Sequence, residues 1–303
     1  MQKKNYPILI TGALGQDGKI LSKMLIRHNY KIYGWIKNKK YSDKLYNVKY
    51  SKVNFLNKKS VLQKINEIKP RVVVHFGSNN PSFNQKKNSE NFNKINTQSA
   101  INIINSIVES RINCTFIFSN SSQVFLNKSF KKKVSENDII SSNDGYTNFR
   151  IKVLEHMEHL RKTKKFKYIN LMLFNHDSIF RNKKFLIPRL IEAFKKKKIK
   201  FIERIYAENI IGDFSHAEDI CYAILLLIKK NIQTNRIILS SGKITKINDV
   251  IRYLCKITNL KILDKLKEKK NNHFIIGRNL KARRLLNWKL RKNIYDVINE
   301  HFN

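Results

Sequence analysis

A chain of 303 residues with 42% hydrophobic content is long enough to bury one large core or two unequal ones, which excludes wholesale disorder. The longest apolar run, around Ala223–Ile228, falls far short of the ~20 residues of a membrane span. The net charge of +39 is carried mostly by lysines scattered among asparagine and isoleucine, with no basic tail and no zinc-finger spacing. Neither nucleic acid nor a membrane is therefore expected as a partner, although such a field attracts small anionic ligands. Cys114, Cys221 and Cys255 are odd in number and lack CxxC spacing. They give no disulfide framework and no metal site, and a reducing cytoplasm is the expected setting.

Taken in chain order, the apolar run Pro7–Thr11 passes straight into a glycine motif and reads as a first strand, not a signal peptide. Further strands are expected at Lys31–Ile36, Val48–Asn54, Arg71–Gly77, Cys114–Ser119 and Tyr168–Phe174. Helical periodicity falls between them at Asp17–His28, Lys59–Ile68, Glu90–Ser110 and Tyr146–Lys162. This alternation predicts βαβ units and a parallel sheet. Beyond about Asn175 the pattern turns α-rich, with helices at Leu186–Lys197, Ala217–Lys230, Ile247–Thr258 and Ile294–His301 and a short strand at Arg236–Leu239. Lys195–Lys198 and Lys265–Lys270 read as surface turns. Residues 1–175 are expected to form one lobe and 176–303 mainly a second, with some later segments returning to the first. No Gly/Ser/Pro linker separates them, so the cleft between packed lobes is the default ligand site.

Three of the nine glycines fall in Gly12-Ala-Leu-Gly15-Gln16-Asp17-Gly18, directly after a strand and opening an amphipathic helix. Glycine there allows a tight turn and close backbone approach to a pyrophosphate at the helix N-terminus. The fold class expected is α/β, a doubly wound parallel (Rossmann-type) sheet with a smaller α-rich C-terminal substrate lobe. An acidic residue that would bind a ribose hydroxyl is missing after the second strand, where Lys37, Lys39 and Lys40 stand. That favours NADP, with its 2′-phosphate, over NAD; lysine's abundance throughout the chain leaves NAD possible. Asn54 ends the third strand, where its amide suits adenine, and Gly77-Ser78-Asn79 ends the fourth.

With these residues in view the chain resembles the extended short-chain dehydrogenase/reductases, the NAD-dependent epimerase/dehydratase family, and within it the GDP-mannose 4,6-dehydratases. The resemblance rests on Gly15–Gly18, Ile65–Pro70, Asn96, Phe118–Val124, Leu173–Ser178, Gly212–Asp219, Phe274–Gly277, Lys281-Ala282 and Leu286–Trp288, all collinear. It implies a nucleotide-sugar substrate, GDP-mannose first among them, oxidised transiently at C4. Gly12, Gly15, Gln16, Asp17, Gly18, Lys37, Asn54, Gly77 and Asn96 would then serve the cofactor. It also implies a homodimer or homotetramer paired through the two long helices.

In that family a tyrosine takes the 4-hydroxyl proton, a lysine four residues on supplies positive charge and holds the nicotinamide ribose, and a Ser/Thr donates to the same oxygen. Position by position these fall on Tyr146, Arg150 and Ser121, so the chain carries YxxxR. Arginine keeps the charge but changes size and geometry. Lys152 lies roughly 200° around a helix from the tyrosine's partner position and does not substitute. The carboxylate that removes the C5 proton in dehydratases is replaced by Gln123, whose amide is no general base at neutral pH. Glu136, Asp138 and Asp144 are the nearby alternatives. Gly212 stands where a basic substrate contact is expected, and Glu268–Asn271 replaces another family stretch. Asn175, Arg181 and Arg189 remain as candidates to hold a diphosphate. His176 and His216 read as hydrogen-bonders at the lobe interface. Three outcomes follow: a dehydratase, an epimerase or 4-ketoreductase, or a non-catalytic paralogue.

Overall fold

The computed structural model describes residues 6–37, 44–78, 89–125, 131–141, 145–269 and 273–303. Strands β1 (Pro7–Thr11), β2 (Lys31–Ile36), β3 (Val48–Lys52), β4 (Val72–His75), β5 (Thr115–Ser121), β7 (Lys167–Leu173) and β11 (Arg236–Leu239) form a 7-stranded sheet. Its order is β11-β7-β5-β4-β1-β2-β3, and every neighbouring pair is parallel. Strand order reverses between β1 and β4, which opens a crevice at their carboxyl ends, the usual ligand site of such sheets.

Alternation along β1 explains the two layers. Ile8 and Ile10 join Leu21 and Leu25 of α1 (Gln16–Arg27) and Ile220 and Ile224 of α7 (Ala217–Lys230) on one face. Leu9, with Val73 and Phe116, packs on the other face against α2 (Lys58–Ile68), α3 (Ser89–Glu109) and α4 (Gly145–Lys164). Period-2 geometry on a sheet covered by helices on both sides requires this division.

A second core gathers α5 (Leu186–Lys195), α6 (Ile199–Glu208), α8 (Ile247–Thr258) and α10 (Ile294–Phe302). The lysine-rich sequence around helix α6 hides its period, yet Ile202, Ile205 and Tyr206 bury an apolar face. Helix α9 (Leu280–Leu286) likewise escapes the sequence pattern. Small pairings complete this region: β8 (Asn175–Asp177) with β10 (Phe214–His216), β9 (Ile211–Gly212) with β12 (Thr245–Lys246), and β6 (Lys131–Val134) with β13 (Phe274–Gly277). Helices α6, α7, α8 and α9 all end on an asparagine in the left-handed region: Asn209, Asn231, Asn259 and Asn287. In a chain with 9 glycines, asparagine takes the capping role that glycine usually fills. Strand β11 returns to the main sheet and α7 packs on α1, so the C-terminal half contributes to both lobes.

Candidate active site

Two cavities lie along the carboxyl edge of the sheet and share Ser78. The first, of about 530 Å³, is lined by Gly12, Trp35, Lys37, Lys52, Asn54, Phe55, Gly77, Asn96 and neighbours. The second, of about 370 Å³, is lined by Ser119–Gln123, Tyr146, Arg150, Asn175, His176, Arg181, Phe185 and Asp17 among others.

The glycine turn is closed by the Gly15 N–H donating to the Gly12 carbonyl at 2.9 Å. Gly12 adopts φ +67, and a Cβ there would meet the backbone of Phe76 and Gly77 at 3.0 Å. At Gly18 a Cβ would stand 2.5 Å from the Gly12 carbonyl oxygen, so the helix can enter the turn only without a side chain. Helix α1 therefore presents its first-turn N–H groups, which have no partner inside a helix, at the crevice. This cradle fits a pyrophosphate. The side chains of Gln16 and Asp17 do not point their chemistry there: Gln16 bonds the His176 carbonyl and the Ser178 hydroxyl, and Asp17 meets the His176 ring. Only their backbone is left for the cofactor role expected of them.

Lys37, Asn54, Gly77 and Asn96 all line the first cavity, as the sequence suggests. Lys52 joins them unannounced, because parallel pairing sets it opposite Ile36, next to Lys37. Residues 38–43, which include Lys39 and Lys40, and Asn79 and Asp144 lie outside the described residues.

At the far end, β5 delivers Ser121 and the turn after it Gln123, while the N-terminus of α4 delivers Tyr146. Arg150, one helical turn on and buried, donates from Nη2 to the Tyr146 hydroxyl at 2.8 Å and from Nη1 to the Ser119 carbonyl at 2.5 Å. Its guanidinium also lies over the Tyr146 ring, 4.5 Å from the centroid. Burial, with the Arg150 charge behind it, pushes His75 down to about 3, so this neighbour is neutral. Its Nδ1 meets Thr11 Oγ1 at 2.8 Å. Lys152 is exposed on the same helix and plays no part.

Gln123 is exposed at the cleft rim, and its N–H donates to Ser121 Oγ. The alternative acids are engaged elsewhere. Glu136 accepts from the Ile238 N–H at 2.9 Å, and Asp138 from the N–H and hydroxyl of Ser135. Among the described residues, Asp17 is the carboxylate that lines this cavity, and it is bound to His176.

On the opposite wall, Asn175 opens β8 and Arg181 follows it. The Arg181 guanidinium is held between the buried Asp177 carboxylate, 3.4 Å from Nε, and the Phe185 ring, 3.7 Å from its centroid. Such packing fixes the plane of the fork before any anion arrives. Arg189 is not brought to either cavity; it lies over the Phe201 ring on the α5–α6 side. Helix periodicity could not have separated these two arginines, since the loop preceding α5 decides which one faces the cleft. His216 accepts the Glu218 N–H on Nδ1 and meets Glu300 with Nε2, an interface role as expected. Among the described residues no cluster suited to a metal occurs.

Residues 8–239 match the NAD dependent epimerase/dehydratase family. The chain belongs to that family. Its fold is similar to UDP-glucose 4-epimerase from Thermotoga maritima, with 16% identity, 97% of each chain covered and a TM-score of 0.82. It is similar also to dTDP-glucose 4,6-dehydratase from Bacillus anthracis, a complex with NAD (15% identity, 98% of this chain and 95% of that one, TM-score 0.80). A third is DesIV from Streptomyces venezuelae, a dTDP-glucose 4,6-dehydratase with NAD bound (11% identity, 98% and 97% covered, TM-score 0.81). Dehydratases and epimerases thus share this backbone at nearly equal likeness, and the reaction must be argued from side chains.

Proposed function

We propose that the chain is a nucleotide-sugar-modifying enzyme that acts by transient oxidation at C4 of the sugar. The observation that carries the reading is the Arg150–Tyr146 hydrogen bond at 2.8 Å, set beside Ser121 in a cleft continuous with the glycine turn. A bound nicotinamide dinucleotide supplies the hydride acceptor. NADP is favoured over NAD, because Lys37 and Lys52 line the first cavity and no acid does so among its described residues. Tyr146, as its phenolate, takes the 4-hydroxyl proton, Ser121 donates to the same oxygen, and the Arg150 cation balances the phenolate charge until the proton arrives. Asn175 and Arg181 hold the diphosphate, and GDP-mannose is the first substrate to test on the strength of the sequence resemblance. Helices α3 and α4 are the surface through which a homodimer or homotetramer would form, which light scattering tests.

The fate of the oxidised sugar depends on a base at C5. Gln123 provides none, Glu136 and Asp138 are bonded elsewhere, and Asp17 is paired with His176. This favours the second reading, epimerisation or keto reduction without loss of water, over dehydration. Incubation with GDP-mannose and with UDP-, dTDP- and CDP-sugars, with NADP or NAD, separates the outcomes by mass spectrometry and proton NMR. Loss of water identifies a dehydratase, and a product of unchanged mass whose sugar proton couplings show an inverted centre identifies an epimerase. A protein that neither retains nor binds a nicotinamide nucleotide is a non-catalytic paralogue. Gln123→Glu should create or raise dehydration on the accepted substrate.

A further inference from the structure

Four polar contacts tie the glycine turn to the segment that begins the substrate wall, and two more brace them from within each side. Gln16 Nε2 donates to the His176 carbonyl at 3.2 Å, Ser178 Oγ donates to Gln16 Oε1 at 3.0 Å, and Gln16 Nε2 also braces Asp17 at 3.0 Å. The His176 ring completes the set. Its Nδ1 stands 2.7 Å from the Phe174 carbonyl, and its Nε2 stands 3.1 Å from both carboxylate oxygens of Asp17. A carbonyl and a carboxylate only accept, so each ring nitrogen must carry a proton. The ring is an imidazolium, buried against a carboxylate. His216 makes the contrast: it accepts the Glu218 N–H on Nδ1, so its proton sits on Nε2 alone.

We infer that His176 is a positioning residue, a buried imidazolium that fixes the Asn175–Arg181 wall to the glycine turn and so sets the diphosphate clamp for the nucleotide sugar. The chain of contact is short. Strand β8 carries Asn175, His176 and Asp177; Asp177 holds Arg181 from behind; Arg181 and Asn175 line the cleft. Losing the Asp17–His176 pair frees the strand from its anchor and with it the guanidinium fork. This rests on the nucleotide-sugar reading above, and it adds that substrate affinity depends on a group that touches neither reacting atom.

The charged groups around the ring are Asp17 from α1 and Asp177 and Arg181 from its own segment; His216 on β10, opposite Asp177, acts on Asp177. Helix α7 brings Cys221, whose Sγ meets the Asp17 carbonyl. Burial alone would discharge His176, but the Asp17 carboxylate outweighs it and holds the ring's pKa above its usual value. The clamp is therefore in place below that raised value and weakens as pH rises through it.

The test uses the full chain saturated with NADP and titrated calorimetrically with GDP and with UDP from pH 6 to 9.5. In the wild type, affinity for the accepted diphosphate should fall roughly tenfold over that range, a change of about 1.4 kcal/mol. Asp17→Asn/His176→Gln, which keeps hydrogen bonds but removes both charges, should bind more weakly at pH 7 with a flat profile. Tyr146→Phe, as the control, should retain the fall. Long-range proton–nitrogen spectra of the histidine rings should show one ring protonated on both nitrogens at pH 7.5 and missing from the double variant. Coinciding pH profiles in wild type and double variant, or a singly protonated ring, overturn the inference while leaving the nucleotide-sugar reading intact. Failure of the wild type to bind either diphosphate at any pH overturns both.

Discussion

The two cavities that meet at Ser78 are built in different ways. The first cavity, which we propose takes the adenosine of the cofactor and call the adenosine side, is made by the sheet itself: a glycine turn after β1, the ends of β2 and β3, the end of β4 and one face of α3. Its wall is largely backbone and apolar side chain, with Trp35 tilted against Phe55. The reaction side is assembled from side chains sent by β5, α4, β8, the loop after β8 and the glycine turn, and its wall is hydroxyl, amide and guanidinium. Binding geometry set by backbone survives sequence drift, because any strand–turn–helix with glycines in these places recreates it. Chemistry set by side chains can be altered by one residue, as Arg150 and Gln123 show.

The largest expected effect separates the two sides at the phenol. Tyr146→Phe should lower turnover by ~10²–10⁴-fold, because among the described cleft residues no other group is placed to take the 4-hydroxyl proton. Cofactor affinity, measured by fluorescence titration, should stay within about twofold. Should the variant lose cofactor binding as well, the two sides are one unit and the comparison breaks.

Gly18→Ala attacks the other side. The added Cβ would meet the Gly12 oxygen at 2.5 Å and Ala13 Cα at 2.7 Å, both rigid backbone. Overpacking of that kind costs about 1–3 kcal/mol, read by urea unfolding, and should abolish cofactor binding. Gly15→Ala is the milder companion, since its Cβ meets only the Gly12 oxygen at 3.2 Å.

How far the sequence foretold these regions follows the same division. Strands β1, β2 and β11 and helices α7 and α8 are legible to the residue, because buried parallel strands read as short, mainly apolar runs and amphipathic helices carry their own period. The glycine turn marks the cofactor side; Lys37, Asn54 and Gly77 follow from strand ends, and Asn96, on α3, from the family resemblance. Lys52 was missed because its importance comes from register with β2, which no single segment displays. Arg181 and Arg189 are equivalent in the sequence, both arginines near the same helix, and only the chain's path after β8 divides them. The motif around Asp17 and Gln16 points to the cofactor, while their side chains serve a partner about 160 residues away, a distance no local pattern spans.

The junction between the sides has its own pH signature. The His176 charge, working against burial, holds Asp17 down at about 2 in the fold. A carboxyl depressed from its usual value contributes stability above that value and loses it as pH falls through the folded one, here about 2 kcal/mol. The His176 share has the opposite sense: it is complete below the ring's usual pKa and is lost as pH rises through the raised one. Urea midpoints should therefore form a plateau across mildly acidic pH with shoulders on both flanks. Asp17→Asn/His176→Gln should flatten both shoulders; a variant curve parallel to the wild type would detach the pair from stability.

The smallest effect concerns which nucleotide the adenosine side prefers. Lys37 is exposed and lines the cavity with Lys52 one strand away, so each is a solvated cation near the edge of the site. Exposed charge pairs are worth little, ~0.2–1 kcal/mol each, so the preference for NADP over NAD should be modest, on the order of fivefold. Lys37→Glu replaces attraction of a 2′-phosphate by repulsion and offers a carboxylate to a ribose 2′-hydroxyl, so it should reverse the order of the two affinities. Raising salt from 0.05 to 0.5 M should shrink the wild-type preference and leave NAD binding nearly unchanged, because screening acts on the extra phosphate charge. Equal NADP and NAD affinities at low salt, unchanged by the substitution, would assign both lysines to the general basicity of the chain. The adenosine side would then select shape alone, and all specificity would rest with the side chains of the reaction side.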